Sequence, residues 1–183
     1  MKFSRVALEL DATDQAILDL LQENCKQPLA AIGEKVGLSA PAVLERIHKL
    51  EEAGVIRAYT AVLDGRRLGL DVAAFIGVSA DRPVAVRGIE VAVMGMDEVL
   101  ECHHVTGAHT LMLKVKTQNT ETLEELIDRV RSLEGVSRTE TMVVLSTHME
   151  RTRIALPPEQ ALAERPRRSG GRARKGNAGG DEG

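Results

Sequence analysis

Aromatic side chains are nearly missing from this chain of 183 residues, which has no tryptophan, one tyrosine and two phenylalanines. Proteins that bind single-stranded nucleic acid usually stack the bases on aromatic rings, so that class of binder is disfavoured. Cysteine is also scarce. Cys25 and Cys102 are far apart in the sequence and do not suggest a disulfide framework.

Long apolar runs are absent as well. No stretch approaches the roughly 18 apolar residues that a membrane span needs. The N-terminal segment MKFSRVALELD lacks the apolar core of a secretory signal. We therefore expect a cytoplasmic protein that does not have a membrane as a partner.

The sequence lacks the local motifs of catalysis. It has no phosphate loop of the GxxxxGK type, no GxGxxG after a strand and no nucleophile turn. Cys102 and His104 share one face of a predicted strand, with His103 on the other, but no third metal ligand or CxxC partner is evident. We therefore expect no enzyme, no catalytic residues, no cofactor and no metal site.

What the chain does contain is a pair of short helices joined by a tight turn, within residues 28–63. Pro28 begins the first helix, Gly37 suits a left-handed helix end, and Ser39 is a good N-cap for the second helix. Apolar residues recur at helical spacing and predict the buried faces, namely Leu29, Ile32, Val36, Val43, Ile47 and Leu50. Gly54 ends the second helix, and Val55 to Leu63 is predicted to form the strand and wing of a winged helix-turn-helix.

The outward face of the second helix is polar and mixed, which is what reading a DNA major groove requires. Near the helix start, Ser39, Ala40, Ala42 and Glu45 are the candidates to contact base edges, and Arg46 and Lys49 those to hold phosphates. The alternative is an ordinary helical hairpin with a solvated face. Residues 11–64 carry nine acidic and five basic side chains, so the charge is compatible with DNA without being evidence for it.

The second half of the chain alternates strand and helix patterns. Strands are predicted over 70–80, 99–105, 111–115 and 136–147, with a weak helix over 83–95 interrupted by Gly88 and an amphipathic helix over 119–133. The order βαββαβ is the ferredoxin-like arrangement, which makes the whole chain α+β. Because both helices lie on one sheet face, the other face needs a partner, and we expect self-association.

These patterns divide the chain into four parts. A winged helix-turn-helix domain is expected over 8–63, a polar hinge over 64–69, and a ferredoxin-like oligomerisation domain over 70–154, to which the family resemblance described next adds effector binding. Residues 155–183 are rich in Gly, Pro and Arg and have no apolar period, so we predict a disordered basic tail.

The chain resembles the Lrp/AsnC family of transcriptional regulators over about residues 8 to 154. The resemblance is carried by Asp11 to Asp14, Ile17, Leu18, Leu21, VGLS, ERIHKLEEAGVI and Tyr59, then by Leu68–Gly69, CHHVTGAHTLMLKV (102–115) and TETMVVLSTHMER (139–151). It implies a C-terminal domain of the RAM or ACT-like type. It also implies homodimers that assemble further, commonly into octamers.

The same resemblance implies a small effector, usually an amino acid, bound at the turn after the second predicted strand. The residues it assigns to that site are Thr106, Gly107, Ala108, His109 and Thr110, with Thr139 and Thr141 near the same pocket. Family members often have an acid at the position of Thr110 and a polar or acidic residue at that of Ala108. A plain hairpin turn is the alternative interpretation of this segment.

Together these observations predict a regulator that binds specific double-stranded DNA and responds to a small metabolite through its assembly, with an amino acid as the expected class of metabolite. Two rivals stay open: a ligand-binding regulatory subunit that has lost DNA binding, and a small ferredoxin-like enzyme. The intact Gly37, Ser39 and Arg46 argue against the first rival, and the missing catalytic constellation argues against the second.

Overall fold

The computed structural model describes residues 10–156, and the predicted tail over 155–183 lies outside the described residues except for its first two positions. The chain divides into two compact units. Within the described part, one unit holds residues 10–60 together with 152–156, and the other holds 61–151. No helix in this part of the chain has both the length and the apolarity that crossing a bilayer requires.

Three helices form the first unit: α1 (Ala12–Glu23), α2 (Leu29–Val36) and α3 (Ala40–Glu52). Side-chain caps begin two of them. Asp11 and Asp14 form a capping box on α1, and Ser39 caps α3 by accepting a hydrogen bond from the N–H of Ala42. The helices bury a small apolar core made of Ile17, Ile32, Val43 and Ile47.

The turn between α2 and α3 has the geometry that the sequence predicts. Gly37 adopts a left-handed conformation with φ of 72°, which a side chain would resist. The N–H of Leu38 donates to the carbonyl of Gly33 at 2.9 Å and closes the turn. The two helices are thereby joined as a helix-turn-helix.

The predicted strand over Val55–Leu63 is wrong for this structure, because residues 57–64 have no regular secondary structure. A strand needs a neighbouring strand to satisfy its backbone groups, and this segment has none within the described chain. Local contacts hold its start instead. The N–H groups of Val55 and Ile56 both donate to the carbonyl of Leu50, at 2.9 and 3.1 Å.

Four antiparallel strands form the sheet of the second unit: β1 (Val72–Ala80), β2 (Val99–His104), β3 (Leu111–Thr117) and β4 (Val136–Val143). Their spatial order is β2-β3-β1-β4, so β1 lies between β3 and β4. The final strand stops at Val143, four residues before the predicted end. The α+β class and the ferredoxin-like sheet are confirmed.

Two helices cover one face of this sheet, α4 (Val86–Met94) and α5 (Thr120–Arg131). A short 3-10 helix over Pro83–Ala85 leads into α4. The predicted interruption at Gly88 is wrong, since α4 runs through it without a break. The core between sheet and helices contains eleven buried residues: Ala74, Ile76, Val78, Ile89, Val93, Leu111, Leu113, Val115, Leu123, Leu126 and Val130.

The opposite sheet face carries the alternate residues of each strand. In register, Phe75 lies between Lys114 and Met142, and Gly77 lies between Met112 and Glu140. The segment after β4 crosses back to this face, where the Glu150 carboxylate accepts a hydrogen bond from Lys114. Several large apolar side chains in this region are exposed in the isolated chain, among them Phe75, Met142, Leu145 and Met149.

Candidate DNA interface and effector turn

The outward face of α3 presents the side chains that the sequence singles out. Ser39, Glu45 and Lys49 are exposed, and Ala40 and Ala42 are half-buried. The Oγ of Ser39 lies 3.4 Å from the N–H of Ala42 and is therefore engaged in capping the helix. The structure brings all of these residues onto one short, capped helix.

Glu45 and Lys49 form an ion pair along this face, with 2.7 Å between Oε1 and Nζ. The hydrogen bond from Lys49 and its positive charge lower the pKa of Glu45. Both side chains are more than 60% exposed, so the pair contributes little to stability and can rearrange when a partner approaches. The face thus presents one carboxylate acceptor and one cation to solvent.

Arg46 occupies a different environment from its two neighbours. Its Nη1 lies 2.7 Å from Asp11 Oδ2 and 2.7 Å from Asp14 Oδ1, and its side chain is 32% exposed. Hydrogen bonds to these two carboxylates raise the pKa of the guanidinium. Arg46 therefore joins the middle of α3 to the capping box of α1. A role in holding DNA phosphates stays a prediction, and it competes with this pairing.

Asp11 is a residue whose second role the sequence did not reveal. Burial alone would raise the pKa of its carboxyl group, but the N–H of Asp14 and the Arg46 guanidinium outweigh that effect and lower it. Its spacing to Asp14 predicts a helix cap, and nothing local points to Arg46, which is 35 residues away. Only folding shows that the cap also orients α3.

Tyr59 fastens the irregular segment after α3. Its hydroxyl donates to Glu51 Oε1 at 2.8 Å. Burial, together with that hydrogen bond, raises the pKa of Tyr59 to about 12. The only tyrosine of the chain thus ties the segment after α3 to the last turn of that helix.

The predicted effector turn joins β2 to β3 and is hydrogen-bonded to β1. The N–H of Thr110 donates to the carbonyl of Val78 at 2.9 Å, and the hydroxyl oxygen of Thr110 accepts from the N–H of Ala80 at 3.2 Å. The hydroxyl of Ser79 donates to the carbonyl of Ala108. Thr106, Gly107 and Ala108 are exposed at the tip, where Gly107 has φ of 120°.

His109 lies flat over β1 on the sheet face away from the helices. A Cβ built on Gly77 would come within 2.5 Å of the imidazole, so only glycine leaves room for the ring. The side chain is 13% exposed, and its Nε2 lies 3.4 Å from Glu140 Oε2. Its Nδ1 is buried without a hydrogen-bond partner within the described chain. The sequence did not indicate the contacts with Gly77 and Glu140.

Thr139 and Thr141 do not share this side of the sheet. They pair in register with Val78 and Ile76, whose side chains point to the helices. The Oγ1 of Thr139 is buried with no partner in the described chain. A single chain therefore separates these two threonines from His109 by the thickness of the sheet, because a strand alternates its side chains between faces. Their assignment to the effector site stays a prediction.

In the described part of the chain, Cys102 of the CHH run packs against the core of the sheet unit, whereas His103 and His104 are exposed. Cys102 and His104 pair in register with Leu113 and Leu111 and so lie on the helix side, while His103 lies opposite Met112. Burial raises the pKa of the Cys102 thiol, which keeps it in the protonated form. Among residues 10–156 no three metal-binding side chains cluster.

Two family models match the chain, and together they span both units. The AsnC-type helix-turn-helix domain matches residues 10–51. The Lrp/AsnC ligand binding domain matches residues 73–154.

Individual proteins match over nearly their whole length. The HTH-type transcriptional regulator FL11 of Pyrococcus abyssi is 36% identical over 151 residues, covering 81% of this chain and 98% of that protein. The solved structure of Escherichia coli AsnC is 27% identical, covers 78% of this chain and 97% of its own, and gives a TM-score of 0.74. The solved complex of the regulator NMB0573 from Neisseria meningitidis with L-Met is 31% identical. It covers 80% of this chain and 96% of its own, and gives a TM-score of 0.76.

Proposed function

The chain belongs to the Lrp/AsnC family and is a DNA-binding transcriptional regulator that responds to a small ligand, and from this premise we propose which residues perform each task. We propose that α3 reads double-stranded DNA in the major groove. We further propose that the turn at Gly107 binds an amino acid, and that the chain acts by binding and not by catalysis.

The exposed face of α3 is the observation that supports DNA reading. Ser39 caps the helix, and the small side chains of Ala40 and Ala42 allow its start to approach the floor of a groove. Glu45 can accept from a cytosine amino group, and Lys49 can pair with a phosphate. The Glu45–Lys49 ion pair would open or be shared as DNA binds.

We assign Arg46 a positioning role in place of the direct phosphate contact that its position suggests. The two carboxylates of Asp11 and Asp14 satisfy its guanidinium, and moving it to DNA would leave both without that partner. The pairing fixes the rotation of α3 against α1, which sets where Glu45 and Lys49 point. A misplaced reading helix would weaken binding to every sequence.

A gel-shift assay with mapped genomic fragments tests the DNA proposal. Glu45→Ala should change preference at one base position by about 1–3 kcal/mol. Lys49→Ala should weaken binding to all sequences and lower the salt slope by about one unit. Glu124→Ala, on the exposed face of α5, is the control. Wild-type affinity for both α3 variants would reject α3 as the reader, and no shift with any fragment would favour the ligand-binding subunit without DNA binding.

The turn at Gly107 supports the effector proposal because its exposed backbone is attached to the central strand β1 by Thr110. The similar regulator from Neisseria meningitidis was solved with L-Met, which makes an amino acid the first class of ligand to test. Thr110 carries no charge and already accepts the N–H of Ala80. A charge partner for an α-ammonium group must therefore come from elsewhere, and Glu140, whose Oε2 lies 3.4 Å from His109 Nε2, is a carboxylate beside the turn.

Self-association through the open sheet face completes the proposal. Phe75 and Met142 are 38% and 44% exposed and lie side by side in register, so a second sheet packed on them would remove them from water. A dimer of this kind, with further assembly of dimers toward an octamer, would place pairs of reading helices on neighbouring half-sites.

Sedimentation with and without a panel of amino acids, L-Met included, tests both the amino-acid effector and the self-association. Wild type should form dimers or larger assemblies whose distribution changes with at least one amino acid. Gly107→Asp should abolish that response, because an anion and a Cβ enter a backbone position with φ of 120°. Gln118→Glu adds the same charge at the far end of β3 and should respond normally. Indifference of wild type to every amino acid would reject the amino-acid class while leaving DNA binding intact.

A further inference from the structure

The side of α4 that points away from the sheet is apolar. Ile89 and Val93 face the core. The opposite side carries Val84, Val91 and Met94, which are 79%, 66% and 75% exposed. Spacings of seven and three residues place these three side chains in one line along the helix. A contiguous exposed apolar line of this kind indicates a contact surface, whereas scattered apolar residues do not.

An open groove runs beside this line of side chains, between α4 and the end of β2. Its volume is about 430 Å³, and Val86, Glu90, Met94 and His104 are among the residues that line it. Helices pack by placing the side chains of one helix into the grooves beside another. The groove can therefore accept side chains of a second helix that lies along α4.

Two residues of opposite charge lie in the middle of the same surface. Arg87 is exposed, and no ion pair with a described residue engages it. Glu90 lines the groove, with its Oε1 4.0 Å from His104 Nδ1. If a second α4 packs antiparallel about a two-fold axis near residue 89, Val84 lies opposite Met94 of the second copy. Each Arg87 then lies next to Glu90 of the second copy, so the surface is complementary to itself in both apolar contacts and charge.

From these observations we propose that the outer face of α4 is a second self-association surface, on which α4 of one copy pairs antiparallel with α4 of another. The surface consists of Val84, Arg87, Glu90, Val91 and Met94. The proposal deepens the proposed self-association and rests on it in one respect, that the open sheet face forms the first dimer. Such a dimer carries two α4 surfaces, so it can bind two further dimers, and closure of the series gives a ring of dimers.

The α4 contact is weak when it forms alone. Three apolar side chains from each copy bury less than the roughly 1,200 Å² that a specific, stable interface needs. The sheet-face dimer strengthens the contact because it presents two α4 surfaces at once. In urea or at low protein concentration the contact dissociates, so substitutions on this face leave the free energy of unfolding of the chain nearly unchanged.

Charge reversal and its rescue test the pairing on the full chain. Arg87→Glu and Glu90→Arg each place like charges across the two-fold axis, whereas the double variant restores opposite charges with their positions exchanged. Glu124→Arg, on the exposed face of α5, is the matched control for one reversed charge. Sedimentation velocity over a range of protein concentrations measures the size of the assembly, and thermal midpoints confirm that each variant is folded.

Wild type and the Glu124→Arg control should form the same assemblies, larger than a dimer. Each single reversal should weaken the association of dimers by at least about tenfold, and the double variant should return to within about threefold of wild type. Wild-type assemblies in both single variants overturn the proposal. A double variant that stays as weak as the single variants also overturns it, and so does a wild type that never exceeds a dimer.

Failure of the proposed sheet-face dimer gives a different pattern. Met142→Glu places a charge on the open sheet face and leaves α4 intact. If both interfaces form, this variant should dimerise only at high concentration, and adding Arg87→Glu should make it monomeric at every concentration. If Met142→Glu assembles like wild type while the reversals on α4 still break the assembly, the sheet-face dimer is wrong and the α4 pairing stands.

Discussion

The two units of this chain hold together by different means. The sheet unit buries eleven apolar residues contributed by β1, β3, α4 and α5. The helix-turn-helix unit has a core of four and adds polar links at its helix ends, among them the capping box of Asp11 and Asp14 and its pairing with Arg46. A small core leaves helix orientation to such links, so we expect the orientation of α3 to depend on the charges of Asp11 and Asp14.

The largest effect that separates the units should come from Leu126→Ala. This α5 residue is fully buried against the sheet, and its truncation should cost about 2–5 kcal/mol of unfolding free energy. Urea unfolding measures the loss. Val91→Ala on the exposed side of α4 should stay close to wild type. If the two variants have the same unfolding free energy, buried apolar packing is not the main source of stability in the sheet unit.

Gly77→Ala should cost about 1–3 kcal/mol, because its Cβ would meet the His109 ring at 2.5 Å and push the ring off β1. Gly88→Ala is the matched control. A Cβ there meets nothing within 4 Å, and α4 should gain about 0.5–1 kcal/mol. Thermal unfolding of both variants checks the opposite signs. A harmless Gly77→Ala would show that His109 is not seated as described.

Arg46→Met should cost about 1–2 kcal/mol at pH 7, a value discounted because the side chain is one third exposed. Asp11 has a lowered pKa, so its contribution is complete above the ordinary aspartate pKa of about 4 and is lost as pH falls through the lowered value. The difference in unfolding free energy between wild type and variant should therefore shrink as pH falls below about 4.

Urea unfolding of the two proteins at pH 7 and at low pH gives this comparison. Lys49→Met, on the same helix but exposed, is the control and should differ little from wild type at either pH. A cost for Arg46→Met that persists unchanged in acid would mean that the aspartates are not its partners.

The smallest effect concerns Tyr59. Its absorbance can be followed without interference because the chain has no other tyrosine and no tryptophan. Ultraviolet absorbance of tyrosinate should show a midpoint near pH 12 in the folded protein, against about 10 for a free phenol. Because the folded pKa is raised, the stability that Tyr59 adds is complete below about pH 10 and is lost as pH rises through about 12. Glu51→Gln should lower the midpoint. A midpoint near pH 10 in wild type would contradict the hydrogen bond from Tyr59 to Glu51 of α3.

Local chemistry explains which parts of the fold were predictable from sequence. A cap, a left-handed glycine and a helical apolar period each depend on residues within one or two turns, and Ser39 and Gly37 behave as their positions predict. The order of strands and helices along the chain was predicted from the spacing of apolar residues and the length of each segment. The predicted interruption of α4 at Gly88 is wrong because a long-range effect decides this position. Packing of Ile89 and Val93 against the sheet outweighs the low helix propensity of glycine.

By itself, then, the sequence determined a helix-turn-helix and, after it, a βαββαβ sheet, because those signals are local and repeated along the chain. Tertiary structure alone decided the partners of Arg46, the position of His109 against Gly77 and the separation of Thr139 from the effector turn. The residues concerned are about 30 positions apart in the sequence. Register and packing bring such residues together, and no local pattern encodes them.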